Sequence, residues 1–397
     1  MKKLTLIGWL LLITPFLIAQ PTREITLEDI LEKGTFNQKS VQGVRWLKNG
    51  NQYVVQEGNQ IVRYDASTGF RIGTIFNGDS AGIKFSDYAL SKDERKILLT
   101  TNEEKIYRRS FKADYLVVDL DINQIIRVSN KGKQQVALLS PDGNKVAFVR
   151  NNNLFYTDLT TFEEVQLTAD GEPNKIINGH TDWVYEEEFS FTRAFDWSPD
   201  GKKIAFLRFD ESNVKDYQIQ RWTGTGELYP HIYTYKYPKA GEENARISAH
   251  ILYLDSAKTT IRVNIDTYDQ YIPLLKWTNN PDLLAIKKLN RLQNKLELIH
   301  VKAQTGDPIT VYSEESTTYI DVDFCHELEY FPGTKENPDG FFLISSEKSG
   351  FKHFYLYHMN GSLYSQLTSG DWEAESFHGL IIDTKKQYNT TNSSTHC

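Results

Sequence analysis

One short unit recurs along this chain: an apolar strand, a polar turn, then a second strand rich in β-branched residues. It reads IVRYDASTG from Ile61, LVVDLDINQIIRV from Leu116, LFYTDLTTFEEVQLT from Leu154, ILYLDSAKTTIRV from Ile251, LELIHVKAQTGDPITV from Leu296 and FYLYHMNGSLYSQLT from Phe354. Several copies follow a second recurring piece, an aromatic or Leu, a polar turn and an apolar strand. Examples are RWLKNGNQYVV at Arg45, LSPDGNKVAFV at Leu139, WSPDGKKIAFL at Trp197 and KWTNNPDLLAI at Lys276. The Asn-Gly and Asp-Gly turns tolerate the positive φ that tight hairpins require. Each pair of units therefore predicts a four-stranded meander. Successive meanders begin about 40 to 55 residues apart, near the period of propeller blades.

The expected fold is all-β, a β-propeller of four-stranded blades that is incomplete, with about six of eight blades. A β-sandwich is the alternative, and it leaves the recurrence of one hairpin unexplained. An aromatic fraction of 13%, with 22 Tyr and 21 Phe, suits a β protein. The expected propeller covers 46–380, after an N-terminal segment 20–45 in which ITLEDIL from Ile25 has helical spacing. A polar, apolar-poor tail, 381–397, is expected to be disordered. Two long inserts, 170–193 and 208–249, interrupt the repeat, and long connections in compact domains are uncommon unless they carry function.

The first residues predict export. Lys2 and Lys3 precede an apolar run from Leu4 to Ile18 that ends at Ala19-Gln20, the layout of a secretory signal over 1–19. A retained membrane anchor is the alternative reading, although the run is shorter than the roughly 20 apolar residues of a spanning helix. A formal net charge of -7 with both signs interspersed argues against a nucleic-acid partner. Cys325 and Cys397 are the two cysteines, so no disulfide framework is expected. The nine His show no ligand spacing, and neither a metal nor a cofactor is expected.

The first insert carries NGHTDWVYEEEFS, residues 178–190, with Glu186, Glu187 and Glu188 in succession beside Trp183, Tyr185 and Phe189. Three adjacent carboxylates repel one another, and more so where water is excluded. An acidic solvated loop is one reading. The aromatic flank points instead to a partly buried cleft, where clustered carboxylates need a cation. A peptide's free α-ammonium would serve, its three N–H donors shared between two carboxylates.

WVYEEEF, with Asn178-Gly179 and Asp182 before it and WSPDG after it, resembles the glutamate motif of the dipeptidyl peptidase IV family. ITLEDIL followed by GTF at Gly34, IYRRSF at Ile106, YPKAGEEN at Tyr237 and SGFKHFYLY at Ser349 extend the resemblance from about Ile25 to Trp372. It implies that Glu187 and Glu188 grip the substrate's N-terminal amine and that Arg108 orients its carbonyl, with Arg109 beside it. The family's nucleophile, acid and histidine belong to an α/β-hydrolase domain that follows the propeller. That domain is expected to be absent here, so no catalytic residue is assigned. Gly78-Asp79-Ser80-Ala81-Gly82 spells a nucleophile elbow, yet its hairpin setting lacks the strand-turn-helix context an elbow needs.

Two functions are thus expected. One is the substrate-recognition part of a secreted serine-type dipeptidyl peptidase that releases X-Pro or X-Ala dipeptides, inactive alone. The other is a stand-alone propeller that binds peptide amino termini, a separate hydrolase chain or a second copy of itself.

Overall fold

The central strands of the sheets are apolar on both faces, and this decides how the sheets are arranged. The computed structural model describes residues 24–38, 43–222, 224, 226–255, 259–335, 337–381 and 386–392. The expected export signal at 1–19 lies outside them. The chain divides into two units, 1–57 with 61–73, and 58–60 with 74–397. The first contains helix α1 (Leu27–Leu31), capped by Thr26 and Asp29 in a reciprocal capping box. It also contains most of sheet I, built from Arg45–Trp46, Gln52–Glu57, Gln60–Asp65 and Arg71–Asn77, whose last strand runs on into the second unit.

The second unit repeats the four-stranded antiparallel sheet in sequence order. Sheet II is Asp87–Leu90, Lys96–Lys105, Phe111–Asp119 and Gln124–Arg127. Sheet III is Gln135–Leu139, Lys145–Arg150, Asn153–Asp158 and Glu164–Gln166. Sheet V is Gln270–Trp277, Leu283–Asn290, Lys295–Lys302 and Pro308–Glu315, and sheet VI is Leu328–Phe331, Phe341–Ser346, His353–His358 and Leu363–Gln366. These are the blades of a β-propeller, as the repeat predicts.

The larger hydrophobic cores lie between consecutive sheets. In Lys145–Arg150, Val146 and Phe148 point into the core shared with sheet II, while Ala147 and Val149 point into the core shared with sheet IV, whose central strands are Lys203–Asp210 and Arg246–Tyr253. Ile204 and Phe206 of sheet IV meet sheet III, and Ala205, Leu207 and Phe209 meet sheet V. The pattern continues through Ala285 against Phe342 and Ile344, then Phe341 and Leu343 against Ala374. With side chains alternating along each strand, both parities must be apolar, which is why these strands read as unbroken hydrophobic runs. Fully burying one such side chain contributes about 1.5–3 kcal/mol.

One turn recurs with the sheets. In Ser140-Pro141-Asp142-Gly143, the Ser140 hydroxyl donates to Asp142 at 2.5 Å and accepts from the Lys145 N–H at 2.9 Å, while Gly143 adopts φ +69°. Ser198-Pro199-Asp200-Gly201 repeats it, with corresponding distances of 2.6 and 2.9 Å. Ser91-Lys92-Asp93-Glu94 makes the same bonds at 2.5 and 2.9 Å, with Glu94 taking the left-handed position at φ +64°.

Sheet IV departs from the plan, and it carries the inserts. Its strands are Ile176–Asn178, Lys203–Asp210, Arg246–Tyr253 and Thr260–Arg262, with Phe195–Trp197 also paired to Lys203–Asp210. One edge strand is therefore interrupted by an excursion, 179–194. Because Ile176–Asn178 pairs with Arg208–Asp210, and Arg208–Asp210 pairs with Arg246–Ser248, both inserts are shorter than the sequence suggests. The second insert holds a separate hairpin, Asp216–Arg221 with His231–Lys236.

The tail corrects another expectation. Lys386–Asn392 is a strand paired with Glu373–Ile381, so backbone pairing orders seven residues within the stretch whose composition suggested disorder. Cys325 is buried and free. No described helix is long and apolar enough to cross a membrane.

Candidate functional site

The excursion 179–194 folds into a short helix, α3 (Trp183–Glu188), because both of its ends are satisfied locally. The Asp182 side chain accepts the Tyr185 N–H at 3.0 Å, and the Phe189 N–H closes on the Tyr185 carbonyl. Tyr185 anchors the helix. Its ring packs against Phe189, Phe191 and Phe209, and its hydroxyl accepts the buried Ile272 N–H at 2.7 Å.

With Tyr185 turned into the core, the three glutamates take three different environments. Glu186 is buried. Its Oε1 accepts the backbone N–H of Arg109 at 2.7 Å and of Ser110 at 2.8 Å. Those residues sit at the tip of the sheet II hairpin, closed by the Ile106 N–H to the Ser110 carbonyl. Arg109 returns the contact, donating Nη1 to the Glu186 carbonyl at 3.0 Å and Nη2 to the Ser190 hydroxyl at 3.2 Å. Ser190 in turn reaches Asp323 at 3.4 Å.

This clasp brings Arg108 to Glu187, with Nε 3.3 Å from Oε2. The Arg108 side chain is 73% exposed and that of Glu187 16%. Glu188 is exposed and makes no hydrogen bond or ion pair among the described residues. The structure thus joins Arg108 and Glu187 directly, while Glu188 follows on the open side of α3. Neither Nη group of Arg108 makes a hydrogen bond among the described residues, and the planar fork suits a carbonyl or carboxylate oxygen.

Aromatic rings back the site. Trp183 lies 4.4 Å from Tyr237 and 6.3 Å from Tyr235 of the neighbouring hairpin, and Tyr107 lies 6.1 Å from Tyr235. Behind α3 are buried titratable groups. Burial raises the Asp182 carboxyl to about 6. Burial, then the nearby Asp182 charge, raises that of Glu211 to about 7. Burial lowers His180 to about 4.

Sequence reasoning missed Glu186 and gave Arg109 no task. The spacing could have supplied a hint, because a six-residue helix whose Tyr faces inward must bury a neighbour as well. The elbow spelling around Ser80 is a short helix, α2 (Gly78–Ala81), capped by Asn77. A strand, Arg71–Asn77, leads into it, but Ser80 lies inside the helix, which ends at Gly82, so no helix follows the serine as an elbow requires.

Residues 91–395 match the dipeptidyl peptidase IV (DPP IV) N-terminal region. Similar proteins include a probable dipeptidyl peptidase 4 of Emericella nidulans, 28% identical over 93% of this chain and 49% of its own length. The prolyl endopeptidase FAP of Homo sapiens is 31% identical over 91% of this chain and 48% of its own. The crystal structure of Porphyromonas gingivalis dipeptidyl peptidase 4 superposes with a TM-score of 0.82 at 37% identity, covering 91% of this chain and 51% of that one. A putative dipeptidyl aminopeptidase IV from Bacteroides ovatus shares the fold, with a TM-score of 0.70 at 21% identity. The chain spans about half the length of the relatives it matches.

Proposed function

This chain belongs to the dipeptidyl peptidase IV family, as its N-terminal region, and we propose that it grips the amino end of a peptide substrate. Glu187 and Glu188 share the α-ammonium between two carboxylates, and Arg108 turns its free Nη groups toward a substrate carbonyl. The observation that carries this reading is the Arg108–Glu187 ion pair beside Glu188, which has no partner among the described residues. A cation arriving there meets two acids and one guanidinium, so one negative charge is left for it to neutralise.

In the complete enzyme the grip acts as a ruler. Two acids that fix the free N-terminus set the distance to a serine nucleophile, and dipeptides of the X-Pro or X-Ala type are released. Cutting belongs to the hydrolase half of such enzymes, so residues 1–397 taken by themselves are expected to bind peptide and to release no dipeptide. Lys2, Lys3 and the apolar run that follows support export.

Calorimetric titration with an X-Pro tripeptide tests the grip. Binding is expected with a free N-terminus, to fall at least tenfold with Glu187→Gln or Glu188→Gln, and to vanish when the peptide is N-acetylated. Equal binding of the acetylated peptide would remove the ammonium role. Dipeptide release by the purified chain would overturn its inactivity.

A further inference from the structure

Away from α3, sheet IV carries a second collection of charge. On the face that packs against sheet III, Ile204 and Phe206 enter the shared core. The core stops where the Phe206 ring stacks on His250 at 5.2 Å. Beyond that point the same face turns cationic. Arg208 stands opposite Ser248, Arg246 is opposite Asp210, and Arg262 is opposite His250. Diagonal neighbours on one sheet face lie about 7–8 Å apart at their Cα atoms, within reach of long side chains. Arg208, Asp210, Arg246, Ile247, Ser248, His250 and Arg262 line one cleft of 370 Å³.

The cations are unequally committed. Asp170 accepts Arg208 Nε at 2.8 Å and the Asn178 amide at 2.9 Å, so it orients the guanidinium while leaving both Nη groups unbonded. Arg246 and Arg262 are exposed and form no side-chain hydrogen bond or ion pair among the described residues. The Ser248 hydroxyl bonds His250 Nε2 at 2.8 Å. Burial and the charges of Arg262 and Arg208 hold the His250 ring well below its usual range, at about 4, so it stays neutral at pH 7. Against three guanidiniums the cleft sets two carboxylates, Asp210 and the Asp170 that already serves Arg208.

We propose that this cleft binds a dianionic tetrahedral oxyanion, a phosphoryl or sulfuryl group, held between Arg208, Arg246 and Arg262 with Ser248 beneath it. A planar carboxylate is satisfied by one guanidinium fork. Three forks on three adjacent strands that line one cleft, with a hydroxyl among them, suit a group that presents oxygens in three directions. A cleft of this size also has room for a small organic body attached to that group.

The test is a calorimetric titration of the chain with inorganic phosphate and with sulfate, at ionic strength held constant with sodium chloride. One-to-one binding of both anions is expected at pH 8. The double variant Arg246→Gln, Arg262→Gln is expected to weaken it at least tenfold. Both residues are exposed, so the variant folds, which its melting curve checks. The control Lys92→Gln, Lys202→Gln removes the same charge elsewhere and is expected to change affinity less than twofold. At pH 6 phosphate loses charge and sulfate does not, so phosphate binding alone is expected to weaken. No saturable binding, equal loss in the control, or succinate binding as tightly as sulfate would each overturn the assignment.

Discussion

Arg109 and Glu186 hold each other by both main chain and side chain. The Arg109 N–H donates to Glu186 Oε1 at 2.7 Å, and the Arg109 guanidinium donates to the Glu186 carbonyl at 3.0 Å. A hairpin tip of sheet II is thereby fastened to a helix inserted in sheet IV. The neighbouring pair, Arg108 and Glu187, inherits its spacing from this fastening.

Glu186→Ala leaves two backbone N–H groups of the 109–110 turn without their acceptor. A fully buried donor left unsatisfied costs about 1–3 kcal/mol; Arg109 is exposed and Ser110 half-buried, so water replaces part of the loss and urea denaturation should show a drop of roughly 1–2 kcal/mol. Glu186→Gln retains an acceptor oxygen and should lose less. If both variants unfold at the wild-type midpoint, the fastening contributes nothing.

Tyr185→Phe keeps the ring and removes the hydroxyl that accepts the Ile272 N–H. A drop of about 1–3 kcal/mol is expected. Thermal melting at one pH measures it, and an unchanged melting temperature would contradict the anchoring role.

Glu211 gives the chain a pH dependence of known sign. In the unfolded chain its proton leaves near 4.5, and in the folded chain near 7. A raised folded value means that the contribution is full below about 4.5 and is lost as pH rises through about 7. Asp182, raised to about 6, works in the same sense from 3.8 upward. His180, lowered from 6.5 to about 4, opposes them, because the unfolded ring takes up protons first as pH falls. Glu211→Gln is therefore expected to stabilise the chain at pH 8 relative to pH 4, and the difference from wild type isolates its share. A variant curve parallel to that of wild type would sink the assignment.

Arg150 and Glu164 form a bidentate pair within sheet III, with bonds of 2.7 and 3.1 Å, and Arg150 also reaches Ser129 at 2.8 Å. Burial opposes the Glu164 charge, but Arg150 and Ser129 outweigh it and lower the carboxyl from 4.5 to about 2. That stability is present above 4.5 and is lost as pH falls through about 2. Glu164→Ala strands a mostly buried guanidinium and should cost roughly 3 kcal/mol at pH 7. Its stability should also fall less steeply than that of wild type between pH 4.5 and 2. Chemical denaturation at the two pH values reads both effects.

The blades were legible because their turns are chemically specific. Ser-Pro-Asp-Gly places a hydroxyl, a carboxylate and a positive-φ residue in fixed order, and the hairpins at Ser140 and Ser198 follow from it. The equivalent turn at Ser91 was harder to see, because Glu94 stands where glycine would be expected and adopts φ +64° all the same. In the site, the run of three acids was visible but not their division of labour. Charge count alone cannot separate Glu186, which is consumed by backbone donors from sheet II, from Glu187 and Glu188. That distinction depends on a hairpin 77 residues away in sequence. The strand Lys386–Asn392 was hidden for a similar reason, since its polar residues are ordered through backbone pairing with Glu373–Ile381.

Val149 and Phe148 are adjacent in sequence yet face different neighbours. Trimming the protein between two sheets would therefore strip one greasy side from each survivor, however neatly the break fell in a loop. Proteases that nick exposed connections should leave the pieces clinging together, and recombinant fragments ending at such boundaries should be prone to precipitate. From sheet II to sheet VI the chain has seams in its sequence but none in its interior.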